Sequence, residues 1–363
     1  VSHIHTRIGA RAKTLVEAAR RVSTVADHRG RRGRLKGLVA KCDRMSADIA
    51  VLRQKIHGQD GSDYAAILRE RLSDYEVAVA TTPQEERELL SEVPVAAGLQ
   101  IDPNHLETAE NLELFACAFA GTDHLPMDAL ESHGVSVTNA SGVHGPNIAE
   151  WVLGAILSFT RKFHLAWRHK ERREWRSYPA REFQGSTVTI VGLGAIGETL
   201  ADRLEPFDVE TIGIRYSPEK GGPTDEVLSF DESDVHDAFS RSEYVVVAAP
   251  LTDLTEGLVD ADAFRSMPAD SVLVNVGRGP IVDTDALVDA LQSNAIRGAA
   301  LDVTDPEPLP EDHELWGFDN VLITPHNAGH TPRYFDRLAD ILERNLERVE
   351  ATGSYDDLEN QVI

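Results

Sequence analysis

The sequence feature that most constrains the fold is a group of three glycines at fixed spacing between an apolar segment and a helix-like segment. Gly192, Gly194 and Gly197 form G-x-G-x-x-G, which follows TVTIV at 187–191 and precedes ETLADRL at 198–204. The first glycine permits a tight turn, the second lets a ligand approach the backbone, and the third lets the helix pack close to the strand. The pattern therefore predicts a strand, a phosphate-binding turn and a helix.

This turn predicts a dinucleotide cofactor whose pyrophosphate binds N–H groups at the helix start. The predicted cofactor contacts at the turn are Gly192, Gly194, Ala195, Ile196 and Gly197. The next strand, VETIGI, ends at Arg215, where NAD-binding turns usually carry an acid for the ribose hydroxyls. Because an arginine pairs with a 2′-phosphate instead, Arg215, Tyr216 and Ser217 favour NADP(H), with NAD(H) possible. The alternative is a solvated surface arginine.

Strand-like and helix-like segments alternate from residue 48 onward, which is typical of an α/β protein with parallel sheets. Four short strands are predicted first, and six more follow a single long amphipathic helix that starts at about Asn147. The strand-like segments are DIAVL, EVAVA, LELFACA and VSVTN, then STVTIV, VETIGI, YVVVAAP, SVLVNV, RGAALDV and NVLITPH. We therefore predict two doubly wound domains, the second of which binds the dinucleotide.

The formal charge of -24 is unevenly distributed along the chain. Residues 1–44 carry 12 Lys and Arg against 3 Asp and Glu, whereas the rest carries 24 basic against 57 acidic side chains, a charge of -33. Only four lysines follow residue 44. Dense carboxylates with few lysines are typical of proteins from salt-accumulating microbes, since salt screens their repulsion. We expect a halophilic source, most simply a haloarchaeon.

Residues 1–44 resemble nothing else in the chain and show no start and stop signals for a helix or strand. One interpretation is a basic arm for nucleic acid, and the other is a disordered leader. We favour the leader, because a body of charge -33 repels phosphates, and we expect no nucleic-acid partner.

Membrane and secretory segments are not expected. No apolar run approaches the roughly 18 residues that a membrane helix needs, and the N-terminal residues lack the apolar centre of a secretory signal. Two cysteines, Cys42 and Cys117, cannot form a disulfide framework or a metal knuckle, and the histidines show no metal-ligand spacing. We expect a cytoplasmic protein without a metal.

Five further stretches give the sequence a specific resemblance. They are AGTDHLPMDAL at 120–130, NASGVHGPNIAEW at 139–151, VNVGRGPIVDTDAL at 274–287, and LDVTDPEPLP with ITPHNAGHT at 301–310 and 323–331. In their order and spacing they resemble the D-2-hydroxyacid dehydrogenases. The resemblance implies a substrate domain of residues 45–144 plus 327–363, into which a dinucleotide-binding domain of residues 145–326 is inserted. It also implies a homodimer to which the long helix contributes.

The resemblance assigns catalysis to Arg278 in GRG, Glu307 in DPEP and His326 in TPHNAG. These residue types suit reduction of a 2-keto acid, which needs a cation for the carboxylate and carbonyl, a proton donor and a hydride. Arg278 offers a bidentate cation, and His326 can exchange a proton with the alkoxide. Glu307 would stabilise the protonated imidazole and fix the ring. Each residue alone has a structural alternative, as a surface charge, a loop residue or a structural histidine.

The resemblance also implies further contacts. The backbones of Ala120 and Gly121, with Arg278 and His326, are expected to bind the substrate. Further expected cofactor contacts are Pro250, Thr255, Val276 and Asp302. One departure from the family pattern is that Thr304 stands where an aromatic or hydrophobic residue is usual after the DV of this strand.

Together these observations predict an oxidoreductase that transfers a hydride between NADP(H), or NAD(H), and a small 2-keto or D-2-hydroxy acid. Phosphoglycerate dehydrogenase is the alternative enzyme. A non-catalytic protein that senses nucleotides is the alternative from another class, and absence of turnover despite cofactor binding would favour it.

Overall fold

A computed structural model describes residues 47–56 and 58–363. These residues form two β-sheets, and every pairing between the strands of each sheet is parallel. The predictions for residues 1–44, a leader or a basic arm, lie outside the described residues. Within the described ranges, the predicted architecture of two doubly wound sheets is confirmed.

The first sheet contains five short strands. They are β1 (Ile49–Val51), β2 (Val77–Val79), β3 (Val95–Gly98), β4 (Leu114–Cys117) and β5 (Ser136–Thr138). Their order, β2-β1-β3-β4-β5, is that of a flavodoxin-like sheet. The sequence analysis missed β3, because its VAAG run is rich in small residues of low strand propensity. All four of its residues are buried at the centre of the sheet.

Four helices follow strands of this sheet. They are α1 (Gly61–Arg71), α2 (Pro83–Leu90), α3 (Pro103–Leu106) and α4 (Met127–Ser132). The start of α2 shows how local sequence sets a helix boundary. Thr82 accepts the N–H of Glu85, whose carboxylate accepts the N–H of Thr82 in return, and Pro83 takes the first helical position.

The second sheet contains seven strands where six were predicted. They are β6 (Thr187–Val191), β7 (Glu210–Ile214), β8 (Glu226–Leu228), β9 (Tyr244–Val247), β10 (Val272–Asn275), β11 (Gly298–Leu301) and β12 (Val321–Ile323). Their order is β12-β11-β10-β9-β6-β7-β8. The added strand, β8, is a half-buried edge strand of three residues, too short to give a period in the sequence. The order reverses at β6, which opens a crevice at its carboxyl end.

Six helices belong to this part of the chain. They are α5 (Gly145–Thr160), α6 (Phe163–Glu171), α7 (Ala195–Leu204), α8 (Glu232–Ser240), α9 (Ala261–Ser266) and α10 (Thr284–Gln292). The prediction of one long helix from Asn147 was wrong. The helix breaks at Lys162, whose φ of +54° is left-handed, so α5 is buried against the second sheet while α6 has no buried residue.

The chain ends by returning to the first sheet. The last helix, α11 (Tyr334–Thr352), packs on α1, where the rings of Phe335 and Tyr64 stack with centroids 5.2 Å apart. Arg71 of α1 also pairs with Glu343 of α11 at 2.6 Å. The sheet with the glycine turn is therefore inserted into a discontinuous domain, as predicted.

Candidate active site

The carboxyl ends of the two sheets line one open cleft of about 640 Å³. The first sheet contributes residues 119–121 and 140–142. The second sheet contributes residues 194–196, Arg278 and His326. Because doubly wound folds bind ligands at this edge, the cleft is the candidate active site.

The three glycines of the turn after β6 differ in the space that a side chain would find at each position. Gly192 has a φ of +100°, and a Cβ there would lie 2.7 Å from the Ala249 backbone. A Cβ at Gly197 would lie 2.1 Å from the Gly192 carbonyl oxygen, so α7 packs on the turn only with a glycine. A Cβ at Gly194 would meet nothing within 4 Å, and this residue lines the cleft directly before α7. The turn is closely packed at Gly192 and Gly197 and open at Gly194. This shape fits a pyrophosphate at a helix N-terminus.

Arg278 sits in a turn that its neighbours hold in place. Buried Asn275, the last residue of β10, accepts the Gly277 N–H at 3.0 Å and donates to the Arg278 carbonyl at 3.1 Å. A Cβ at Gly279 would lie 2.0 Å from the Thr304 carbonyl oxygen, so this glycine lets the two loops touch. The Arg278 side chain remains exposed in the cleft, where its planar guanidinium can bind a carboxylate.

His326 and Glu307 form a hydrogen-bonded pair beside this loop. His326 Nδ1 lies 2.7 Å from Glu307 Oε1. An ionised carboxylate only accepts hydrogen bonds, which assigns the proton to Nδ1 and leaves Nε2 to exchange a proton with a substrate. The φ of His326 is +52°, an uncommon conformation for a residue other than glycine. The surrounding fold therefore holds the backbone of His326 in this conformation, and the bond to Glu307 fixes the ring.

Asp302 anchors the loop that carries His326. It is 3% exposed, and its carboxylate accepts the N–H groups of Asn327 at 2.7 Å and Ala328 at 2.9 Å, as well as the Thr324 hydroxyl. Its carbonyl accepts the His326 N–H at 2.8 Å. Asp302 also lines the cleft, where the cofactor contact was predicted, but its carboxylate oxygens are bonded to the loop.

Arg215 follows β7, as predicted, but its side chain has partners within the protein. Its Nη1 donates to the Gly221 carbonyl at 2.5 Å and lies 3.5 Å from Glu198 Oε1, in the first turn of α7. Only 18% of the side chain is exposed. Any phosphate bound here must share the guanidinium with Glu198.

Only some of the other predicted cofactor contacts line the cleft. Val276 lines the cleft, whereas Tyr216 is 83% exposed beside Arg215. Thr255 is buried, and its hydroxyl donates to the Pro250 carbonyl at 2.7 Å and accepts the Thr252 N–H at 2.9 Å. The hydroxyl of Thr255 thus holds the loop after β9 in shape. The half-buried Ser217 adjoins Tyr216 in the chain.

Ala120 and Gly121, the predicted carboxylate contacts, lie in the cleft after β4. The Ala120 carbonyl accepts the Asn139 side-chain amide at 2.8 Å, which fixes the loop. Within residues 47–56 and 58–363, no acceptor is found for the N–H groups of Ala120 and Gly121. These donors are available to a carboxylate.

The sequence analysis assigned no role to three histidines that line the same cleft. They are His124, His144 and His330. His124 Nε2 lies 2.7 Å from the Leu99 carbonyl, and the His144 ring lies 5.1 Å from the ring of Tyr334. Each of the three lies inside a motif quoted for the resemblance, but only the fold brings them together with His326.

Within residues 47–56 and 58–363, no three or more His, Cys, Asp or Glu side chains are grouped to hold a metal ion. None of the helices in this part of the chain has the length and apolar character required to cross a membrane.

Comparisons with known proteins identify the family. Residues 153–328 match the model of the D-isomer specific 2-hydroxyacid dehydrogenase NAD binding domain. Over 254 residues the chain is 35% identical to glyoxylate reductase of Thermofilum pendens, which covers 68% of this chain and 74% of the relative. Human glyoxylate reductase/hydroxypyruvate reductase is 34% identical over 254 residues, with 68% and 76% covered.

Solved structures agree with this assignment. A D-isomer specific 2-hydroxyacid dehydrogenase from Xanthobacter autotrophicus, solved in complex with NADPH and MES, has a TM-score of 0.68 and 28% identity. The match covers 87% of this chain and 98% of that one. The fold, the cleft and the relatives point to one conclusion: the chain belongs to the D-isomer specific 2-hydroxyacid dehydrogenase family.

Proposed function

We propose that this protein is an NADPH-preferring reductase that converts small 2-keto acids, such as glyoxylate, hydroxypyruvate or branched-chain keto acids, into D-2-hydroxy acids. The observation that carries the proposal is the His326–Glu307 pair at 2.7 Å, in one cleft with Arg278 and the glycine turn. A binding protein has no need of a proton donor next to a guanidinium and a cofactor cradle.

The residues of the chain divide the work of the reaction. Arg278 and the N–H groups of Ala120 and Gly121 bind and orient the substrate carboxylate. His326 Nε2 gives a proton to the carbonyl oxygen as the alkoxide forms, and takes it back in the reverse reaction. Glu307 accepts the hydrogen bond of Nδ1 and so holds the ring in the required tautomer.

The glycine turn, Ala195 and Ile196 would hold the cofactor pyrophosphate, and Val276 lines the cleft. When bound, the nicotinamide supplies the hydride. The preference for NADPH is supported by Arg215 at the end of β7, whose guanidinium can pair with a 2′-phosphate. The carboxylate of Glu198, which lies 3.5 Å from Arg215, competes for the guanidinium. We therefore expect the preference for NADPH over NADH to be moderate.

A substrate panel with both cofactors, assayed in high salt, tests the proposal. We expect NADPH oxidation with at least one small 2-keto acid. Turnover confined to 3-phosphoglycerate and its keto acid would favour phosphoglycerate dehydrogenase. Cofactor binding without turnover on any keto acid would favour the nucleotide-sensing protein.

A homodimer is also proposed, and the exposed aromatic side chains of residues 163–175 support it. Phe163, Trp167 and Trp175 are 46%, 58% and fully exposed, in a protein whose other large apolar side chains are mostly buried. Apolar surface of this kind usually marks an interface. Light scattering should give the mass of two chains for the wild type, and a single-chain mass would contradict the proposal.

We further propose a halophilic origin, on the charge of -33 after residue 44. The protein should unfold or lose activity within hours in low-salt buffer and keep its activity at molar salt. Persistence of a folded, active protein in low salt for the same period would contradict the proposal.

A further inference from the structure

Asn147 lies where the two chain connections between the sheets meet. One connection, residues 139–144, leads from β5 to α5, and the other, residues 324–333, leads from β12 to α11. Asn147 belongs to the first turn of α5 and is 8% exposed. A buried amide needs partners for both its oxygen and its nitrogen.

The partners of Asn147 come from both sides. Its Nδ2 donates to the Ala328 carbonyl at 2.7 Å, and its Oδ1 accepts from Arg337 Nη1 at 2.7 Å. The same Nη1 donates to the Val143 carbonyl at 2.7 Å. Arg337 belongs to α11, which packs on the first sheet's helices, so these bonds join that domain to the segment after β12.

A second set of bonds continues from Ala328 to His326. The three consecutive N–H groups of residues 326–328 all donate to Asp302, the first to its carbonyl and the other two to its carboxylate. Residues 326–328 are therefore held as one piece between Asp302 on one side and Asn147 on the other. A displacement of Ala328 must move the backbone of His326.

We propose that Asn147 is a positioning residue, which fixes the loop carrying His326 relative to the domain that carries Ala120 and Gly121. The N–H groups of Ala120 and Gly121, which bind the substrate carboxylate together with Arg278, lie on a different domain from the proton donor. Their distance from His326 therefore depends on the bonds that join the domains. This inference rests on the proposed function where turnover is concerned. A misplacement of about 1 Å can lower a rate about a hundred-fold.

Asn147→Ala removes both bonds and should lower kcat by about ten- to a hundred-fold, with little change in KM for the keto acid or in the Kd of NADPH. Asn147→Asp keeps an oxygen for Arg337 but removes the donor to Ala328. This variant should therefore fold but have a lower kcat, because the bond to the Ala328 carbonyl is the one that holds the His326 loop. The pH profile should keep its shape in Asn147→Ala, since this change neither adds nor removes a titrating group.

Asn345→Ala is the matched control. Asn345 is 1% exposed, donates to the Glu359 carbonyl at 3.1 Å and accepts the Glu359 N–H at 2.7 Å, and neither residue lines the cleft. Its loss should lower Tm about as much as the loss of Asn147 while leaving kcat near the wild-type value. Equal kcat in Asn147→Ala and Asn345→Ala would overturn the proposal.

Hydrogen exchange gives a readout that does not depend on turnover. The amides of residues 326–328 should exchange faster in Asn147→Ala and Asn147→Asp than in the wild type or in Asn345→Ala. Unchanged exchange in both Asn147 variants would refute the proposed link. A wild type without turnover would refute the proposed function alone, because the exchange experiment still decides whether Asn147 holds the loop.

Discussion

Two strands of the same sheet, β12 and β7, lead to His326 and Arg215. The fold holds these two side chains differently. His326, three residues beyond the end of β12, has a left-handed backbone, a carboxylate partner at 2.7 Å and a buried anchor in Asp302. Arg215, directly after β7, is held through one nitrogen by the Gly221 carbonyl, with Glu198 at 3.5 Å.

The difference shows which part of the site tolerates change. The His326 loop is bonded at successive backbone positions, so its geometry follows the rest of the fold and suits chemistry that requires fixed distances. The Arg215 region borders exposed Tyr216, so its side chains can change with little effect on the sheet. We therefore expect large losses of rate from changes near β12 and smaller changes of preference from changes at β7.

The largest effect is expected for His326→Ala. Loss of the proton donor should lower kcat by about a hundred- to ten-thousand-fold, as for other general acids. The Kd of NADPH, measured by fluorescence titration, should change little because the glycine turn is untouched. A loss below about tenfold would mean that another group, such as His330 in the same cleft, delivers the proton.

Arg278→Lys should have the next largest effect, with kcat/KM lowered about a hundred-fold. Lysine keeps the charge but cannot bind the carboxylate with two parallel hydrogen bonds. The matched control is Arg265→Lys, which changes an exposed arginine on α9 outside the cleft. Similar kinetics in the two variants would remove Arg278 from the site.

Arg215→Asp should shift the cofactor preference, measured as kcat/KM for NADPH over that for NADH, by about ten- to a hundred-fold toward NADH. Glu198→Gln should shift it the other way, because it frees the guanidinium from a competing carboxylate. All measurements need the same salt concentration, since the screening length is only about 3 Å at 1 M. A ratio indifferent to both changes would identify Arg215 as an ordinary surface arginine.

Glu307→Gln should give the smallest change in rate, about tenfold in kcat. The carboxylate at 2.7 Å only accepts hydrogen bonds and so keeps the proton on Nδ1, whereas a glutamine amide can also present its NH2 group to the ring. The ring is then held less firmly in the tautomer that proton transfer at Nε2 requires. A kcat equal to that of the wild type would exclude Glu307 from the mechanism.

Much of the fold was predictable because its signals are local. The glycine turn requires a left-handed Gly192 and a close contact between Gly197 and the Gly192 carbonyl, and both requirements lie within the motif itself. The strand β3 was missed because its small residues have low strand propensity, and β8 was missed because three half-buried residues give no period. The break at Lys162 was missed because the apolar pattern continues through it.

The sequence by itself determined the two doubly wound units, the dinucleotide turn and, through its motifs, the residue types Arg278, Glu307 and His326. Only the tertiary structure decided which groups meet. The engagement of Arg215 by Gly221 depends on a loop conformation, and the bonds of Asn147 to Ala328 and Arg337 join positions 181 and 190 residues apart in the chain. Hydrogen bonds between distant segments leave no period or spacing in a sequence, because they depend on how the chain closes on itself.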